Sequence, residues 1–196
     1  MRSSLVQGPP DGVVGAVAVL DSRVEVWWER LRGRPVLDRV FYSASALGDF
    51  SLIWHLLGAA RSLGRRHGLE DAVRLSITMG AESALVNGPV KSLFRRVRPA
   101  EPELVRPHRL RTPRTTSFPS GHATAAFTAA AMLSDGARLP ARAAVYATAV
   151  IVSASRIHVR IHHPSDVVAG AVMGVGLGWL ARRAWSAVAT TWDTGR

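Results

Sequence analysis

The 196-residue chain is about one domain long, enough to bury a sizeable core. Its formal charge of +11 comes from 25 Lys+Arg against 14 Asp+Glu, and every base but Lys91 is arginine, an excess that suits phosphate-bearing partners or an anionic membrane surface. Absence of cysteine excludes disulfides and thiolate metal sites, and with no aromatic–basic interleaving nucleic acid is not an expected partner.

Residues 1–12, with Gly8, Pro9, Pro10 and Gly12, read as a loose tail. The apolar run 13–20 is too short to cross a bilayer and has no basic leader directly before it, so a signal peptide is not expected. Over 13–31 the pattern predicts an amphipathic helix with Leu20, Val24, Trp27, Trp28 and Leu31 on one side. Arg23, Glu25, Glu29, Arg30 and Arg32 keep it from spanning. Tryptophans beside arginines suit a helix lying in a membrane interface.

After Gly33 and Pro35, residues 36–63 predict one further helix, apolar from 47 to 63 and a marginal span. Asp49, following Gly48, reads there as a helix cap. A third helix is predicted from 70 to about 91, with Glu82 and Asn87 inside an otherwise small and apolar run. These two suit either the lining of a pocket or hydrogen bonds to a neighbouring helix, the latter being the commoner use.

The stretch 95–118 is rich in arginine and proline and has no periodicity, the mark of a functional loop. Most of its arginines, at 95, 96, 106, 109, 111 and 114, read as solvated surface charge. Helices are then expected over 120–134, 141–155 and 166–185. The last carries Gly170, Gly174 and Gly178 at four-residue spacing, which lets helix backbones approach closely. No period-two pattern appears, so the expected fold class is all-α: a membrane-embedded bundle of about five spans plus the N-terminal interfacial helix. The expected organisation is 1–35 tail and interfacial helix, 36–185 main domain and 186–196 tail.

Residues 155–166 hold two arginines, three histidines and an aspartate between apolar segments. Arginine forks bind phosphate oxygens, an imidazole can attack phosphorus, and a carboxylate can fix its tautomer. Two upstream clusters extend the pattern: Lys91 with Arg98-Pro99, and Pro119-Ser120-Gly121-His122. With Ser155-Arg156, His162 and Asp166 they spell K-x6-RP, PSGH and SR-x5-H-x3-D, in that order. The set resembles the type 2 phosphatidic acid phosphatase superfamily, which includes membrane lipid phosphatases and vanadium haloperoxidases. Every defining position is matched, and the resemblance covers residues 36–185.

That resemblance implies catalytic roles for His162 as nucleophile, Asp166 as the group that orients it, and His122 as general acid and then base. It implies phosphate binding by Lys91, Arg98, Arg156, Ser120 and Gly121, the last two at a helix N-terminus that favours anions. It also implies no metal and no cofactor, the three cations doing what a metal ion does elsewhere. His158 and His163 lie off the pattern.

The expected function is hydrolysis of a lipid phosphate or pyrophosphate monoester through a phosphohistidine. Candidate substrates are a polyprenyl (pyro)phosphate, a phosphatidate or a polyprenyl-phosphate sugar. The partners are that lipid and the bilayer, and the location is a multi-pass bacterial plasma membrane protein. The alternative is a soluble-substrate phosphatase or vanadate-dependent haloperoxidase using the same pocket. Sixteen of the 25 basic residues fall on the active-site side, which leans that side towards the cytoplasm, although the family's lipid phosphatases commonly face outward.

Overall fold

The computed structural model describes residues 12–99 and 115–193, with side chains described as far as residue 188. The tail before residue 12 and the arginines at 106, 109, 111 and 114 lie outside the described residues. All regular elements among the described residues are helical: α1 Val13–Trp28, α2 Pro35–Gly48, α3 Leu52–Ser62, α4 Gly68–Leu85, α5 Gly121–Leu133, α6 Leu139–His158 and α7 Pro164–Asp193.

At the centre stands α5. Its alanines Ala123, Ala126, Ala129 and Ala130 are completely buried. The last three pack against Leu75 and Met79 of α4, Trp54 of α3, and Ala149 and Val152 of α6, and Ala123 against Ile157 and Val167. Small side chains let the surrounding helices close in, most of all α7. A Cβ on Gly170 would lie 2.5 Å from the Ser120 carbonyl oxygen, on Gly174 2.3 Å from that of Thr124, and on Gly178 2.5 Å from the Ala131 Cβ. The glycine stripe therefore does the work its spacing predicts: it brings the α7 backbone onto α5.

Four details depart from the sequence reading. The single helix expected over 36–63 is two, separated by a 3₁₀ turn at Asp49–Ser51 in which Phe50 and Ser51 take left-handed φ of 54° and 58°. Each left-handed residue costs roughly 1–2 kcal/mol, so the break persists because the surroundings impose it. Next, α4 ends in a widened turn, Val86–Val90, around Pro89, whose missing N–H and ring bulk forbid a regular helical turn.

Third, α7 runs on past residue 185 to Asp193, because no glycine or proline lies between Gly178 and Asp193 to stop it; the segment expected to be a tail is largely helix. Finally, α1 is not set apart from the bundle. Leu20, Val24 and Trp27 are exposed as expected of an interfacial helix, but Asp21 is buried and Trp28 donates its indole N–H to His158 Nδ1 at 3.2 Å.

The outer surface is apolar: Leu69, Val73 and Ile77 on α4, Val150 and Ile151 on α6, and Val168, Val172, Trp179 and Leu180 on α7 are all exposed. Of about five spans expected, one helix among the described residues, Pro164–Val188, is long and apolar enough to cross a membrane by length and composition.

Candidate active site

The ends of α4, α5, α6 and α7 meet at one pole of the bundle, each delivering one part of the sequence pattern. At the C-terminus of α6, the Arg156 carbonyl oxygen accepts from both Ile161 N and His162 N at 3.1 Å. The chain is thus turned sharply, with Arg160 at a left-handed φ of 55°, and His162 is folded back into the protein, 2% exposed. One ring nitrogen, Nε2, lies 3.2 Å from an Arg98 terminal nitrogen. The other, Nδ1, faces Asp166 Oδ2 at 3.6 Å, just beyond hydrogen-bond length.

Burial pushes the His162 imidazole down to about 3; Asp166 pulls against this, while Arg156 and Arg98 add to the drop. The ring is therefore neutral at physiological pH, the state in which it has a lone pair to give.

Asp166 is completely buried and densely held. Its Oδ2 accepts from the Ser117 hydroxyl and from His163 N at 2.9 Å. Its Oδ1 accepts from Arg96 at 2.6 Å. Its backbone carbonyl takes the N–H of Ser120 at 3.0 Å, stitching the start of α7 to the start of α5.

Three cations converge on this carboxylate–imidazole pair. Arg98 is strung between the carbonyls of Thr115, Thr116 and Ile161, the last at 2.8 Å. Lys91 donates to Asn87 Oδ1 at 3.0 Å and to Thr115 Oγ1 at 3.3 Å, within electrostatic range of Arg98 and Arg156. Its ammonium lies 3.7 Å from where a Cβ on Gly121 would sit, so a glycine there keeps the space before it open. Arg156, 1% exposed, donates to the Ser45 hydroxyl at 2.5 Å.

Ser120 is the N-cap of α5, its Oγ accepting a long 3.5 Å bond from Ala123 N and keeping its own proton for another acceptor. His122, one residue into that helix, points Nε2 at Asp49 Oδ1 (3.2 Å) and the Ser45 carbonyl (3.3 Å). All eight residues singled out from the sequence thus lie around one pole, at helix termini where free N–H groups and cations favour an anion.

Sequence reasoning missed the residues that hold these groups in place. Arg96, read as surface charge, bridges Asp166 to Asp21 of α1 (2.6 Å on each side) and also reaches the Ser165 hydroxyl. Asp21 in turn accepts from Ser165 N at 2.8 Å and its hydroxyl at 2.7 Å, capping the first turn of α7. Asn87 holds Lys91. Asp49, read as a cap, faces His122. One signal was available for the two aspartates: each is an acid inside an apolar run, which rarely occurs without a partner.

The off-pattern histidines are engaged by other partners. His158 is wedged between Trp28 and Asp38 and stacks on Phe41 at 4.6 Å; His163 pairs with Glu25 at 2.7 Å. Among the described residues no group of three or more His, Asp or Glu is arranged to hold a metal ion.

Comparison with known proteins agrees with this geometry. The family model described as PAP2 superfamily matches residues 71–189. The chain is 33% identical over 144 residues to the decaprenylphosphoryl-5-phosphoribose phosphatase of Mycolicibacterium smegmatis, covering 71% of this chain and 74% of that protein. The Mycobacterium tuberculosis protein of the same name is 35% identical over 89 residues, 45% of this chain and 48% of its own length. Among solved structures, Aquifex aeolicus LpxE matches with a TM-score of 0.67 at 29% identity, covering 84% of this chain and 95% of that one. A transmembrane PAP2 type phosphatidylglycerolphosphate phosphatase from Bacillus subtilis matches with a TM-score of 0.65 at 26% identity, covering 88% of each chain.

Proposed function

Given that the chain belongs to the PAP2 superfamily and is a lipid phosphatase of that class, we propose that it removes the terminal phosphate of a polyprenyl-phosphoryl sugar phosphate through a phosphohistidine at His162. The observation that carries this reading is the neutral, buried His162 set between Asp166 and the cations Arg98, Lys91 and Arg156. The substrate class is taken from the named relatives; a polyprenyl (pyro)phosphate and a phosphatidate are the next candidates.

In this mechanism the phosphoryl oxygens displace the Arg98–His162 contact and are held by Lys91, Arg98, Arg156 and the N–H groups opening α5, with the Ser120 hydroxyl donating. The Nε2 lone pair of His162 then attacks phosphorus. As positive charge grows on the ring, its attraction to Asp166 rises, which stabilises the transition state. His122 protonates the departing oxygen and afterwards takes a proton from the water that hydrolyses the phosphohistidine.

We read the chain as a multi-pass membrane protein, with α7 as its clearest span. The exposed apolar residues on α4, α6 and α7 support this, because large apolar side chains facing outward in such number suit lipid.

The test is phosphate release in detergent with EDTA from a panel holding a polyprenyl-phosphoryl sugar phosphate, a polyprenyl diphosphate and a phosphatidate. The sugar phosphate is expected to turn over fastest, and His162→Ala to lose activity by on the order of 10⁴-fold or more, as nucleophile deletions do. Activity retained in that variant would overturn the nucleophile, and preference for phosphatidate would overturn the substrate class.

A further inference from the structure

We infer that Asp49 is the positioning residue for His122, forming a second carboxylate–imidazole pair in the pocket, and that the break between α2 and α3 serves to seat that histidine. The inference rests on the reading of His122 as proton donor given above. Three independent features of residues 48–51 point the same way. Asp49 Oδ1 stands 3.2 Å from His122 Nε2, with the Ser45 carbonyl oxygen 3.3 Å from the same nitrogen. Gly48 is the only residue type that fits beside the ring: a Cβ there would lie 2.6 Å from His122 Cδ2 and 3.0 Å from Val152 Cγ1. The left-handed Phe50 and Ser51 bend the chain directly after Asp49. No proline or glycine within the turn requires that bend, so its strain is held by what the turn positions.

The arrangement fixes the histidine's chemistry. Both acceptors lie on the Nε2 side, so Nε2 carries a proton and Nδ1 is the nitrogen left for the substrate's leaving oxygen. Burial and the Arg156 guanidinium from α6 both disfavour the imidazolium, and Asp49 from the α2–α3 break is the anion that offsets them. In the first half-reaction the His162 Nε2–P bond forms as the P–O bond to the leaving group breaks, and the Nδ1 proton of His122 passes to that oxygen, releasing a neutral alcohol. In the second, water bonds to phosphorus as the P–N bond breaks, its proton goes to His122 Nδ1, and inorganic phosphate leaves. Asp49 stabilises the imidazolium that both steps require.

The discriminating experiment is first-turnover release of the leaving group by Asp49→Asn, measured with two esters. One is the lipid monophosphate, whose alkoxide needs a proton. The other is p-nitrophenyl phosphate, whose leaving group departs as a stable anion. We expect a loss of ~10–100-fold on the lipid ester, a share of what general acid catalysis supplies, and less than about threefold on the aryl ester. The high-pH arm of the lipid rate should also move to lower pH, because removing the carboxylate makes the imidazolium easier to deprotonate. Equal loss on both esters, including the loss that follows from failure to fold, would mean that Asp49 is merely structural and would overturn the proposal. So would an unchanged rate and pH profile. Parent and His162→Ala run alongside: activity surviving in His162→Ala would sink the phosphohistidine reading itself, whereas intact dependence on His162 with no ester discrimination in Asp49→Asn would sink this inference alone.

Discussion

The two poles of the bundle are both rich in arginine, and they use it in opposite ways. At the pole where α4 and α6 end and α5 and α7 begin, Arg156 is buried and Arg96 and Arg98 are held by partners far away in sequence: Asp21, Thr115, Ile161 and Asp166. At the other pole a cavity of about 560 Å³ is lined by Arg61, Arg65, Arg74 and Arg182 with Asp71, Asp135 and Trp185. There the pairings are local or exposed: Arg74 with Glu70 one turn away, Arg65 with Asp71 at 3.7 Å, and Arg182 with Asp135. Composition does not distinguish the poles. The difference lies in whether each guanidinium is pinned from several sides by partners distant in the chain, because only then is its charge fixed in one direction.

Breaking the pinned pole should have the largest consequences. Arg96→Ala leaves Asp166 with one fewer charged donor and unties it from α1. With a hydrogen bond to a charged group worth about 1.5–3 kcal/mol, turnover should fall by roughly 10–100-fold with little change in KM, as measured on the lipid monophosphate. Asp21→Asn acts one step further out and should cost about tenfold or less. If Arg96→Ala instead raised KM alone, Arg96 would be a substrate contact and not a support for Asp166.

The pH dependence sharpens the comparison next. The folded chain holds His162 neutral down to about 3, against an ordinary value of 6.5, whereas the unfolded chain protonates it near 6.5. Its contribution is therefore neutral above 6.5. Below that, stability is lost as pH falls, by up to about 1.4 kcal/mol per pH unit. Thermal unfolding in detergent between pH 7 and 5 should show a steeper loss in the parent than in His162→Gln. The smallest effects belong to the far pole: Arg61→Gln or Arg182→Gln should leave turnover within about twofold and shift stability by about 1 kcal/mol or less, as exposed ion pairs do. A tenfold loss of turnover there would dissolve the distinction between the poles.

How much of this was legible in the chain follows from the range of the interactions. His162 and Asp166 are four residues apart, Lys91 and Arg98 seven, and Ser120, Gly121 and His122 are consecutive, so linear spacing carried the groups that meet at the pole into view. Helices also announced themselves by composition, and the glycine stripe of α7 by its period. The supports did not. Arg96 meets Asp21 across 75 residues, Asp21 meets Ser165 across 144, and the Ser45 carbonyl meets His122 across 77. No local pattern encodes a pairing between helices that the fold alone makes adjacent. The division of 36–63 into two helices was hidden for a related reason: the apolar period of α2 runs straight on into α3, and the residue that packs against the break, His122, comes from another part of the chain.

The close seam between α5 and α7 has a further consequence. His122 opens one of these helices and Asp166 the other, and with no side chain on Gly170, Gly174 or Gly178 to act as a spacer, the two cannot slide or part without a clash or a void. They form a rigid frame that sets the span between His122 and the His162–Asp166 pair, the groups proposed as proton donor and nucleophile, much as the jaws of a gauge are set by its spine. Accommodation of longer or bulkier lipids therefore falls to the peripheral helices α1, α2 and α3, and selection for a new substrate should change residues there while leaving the seam alone.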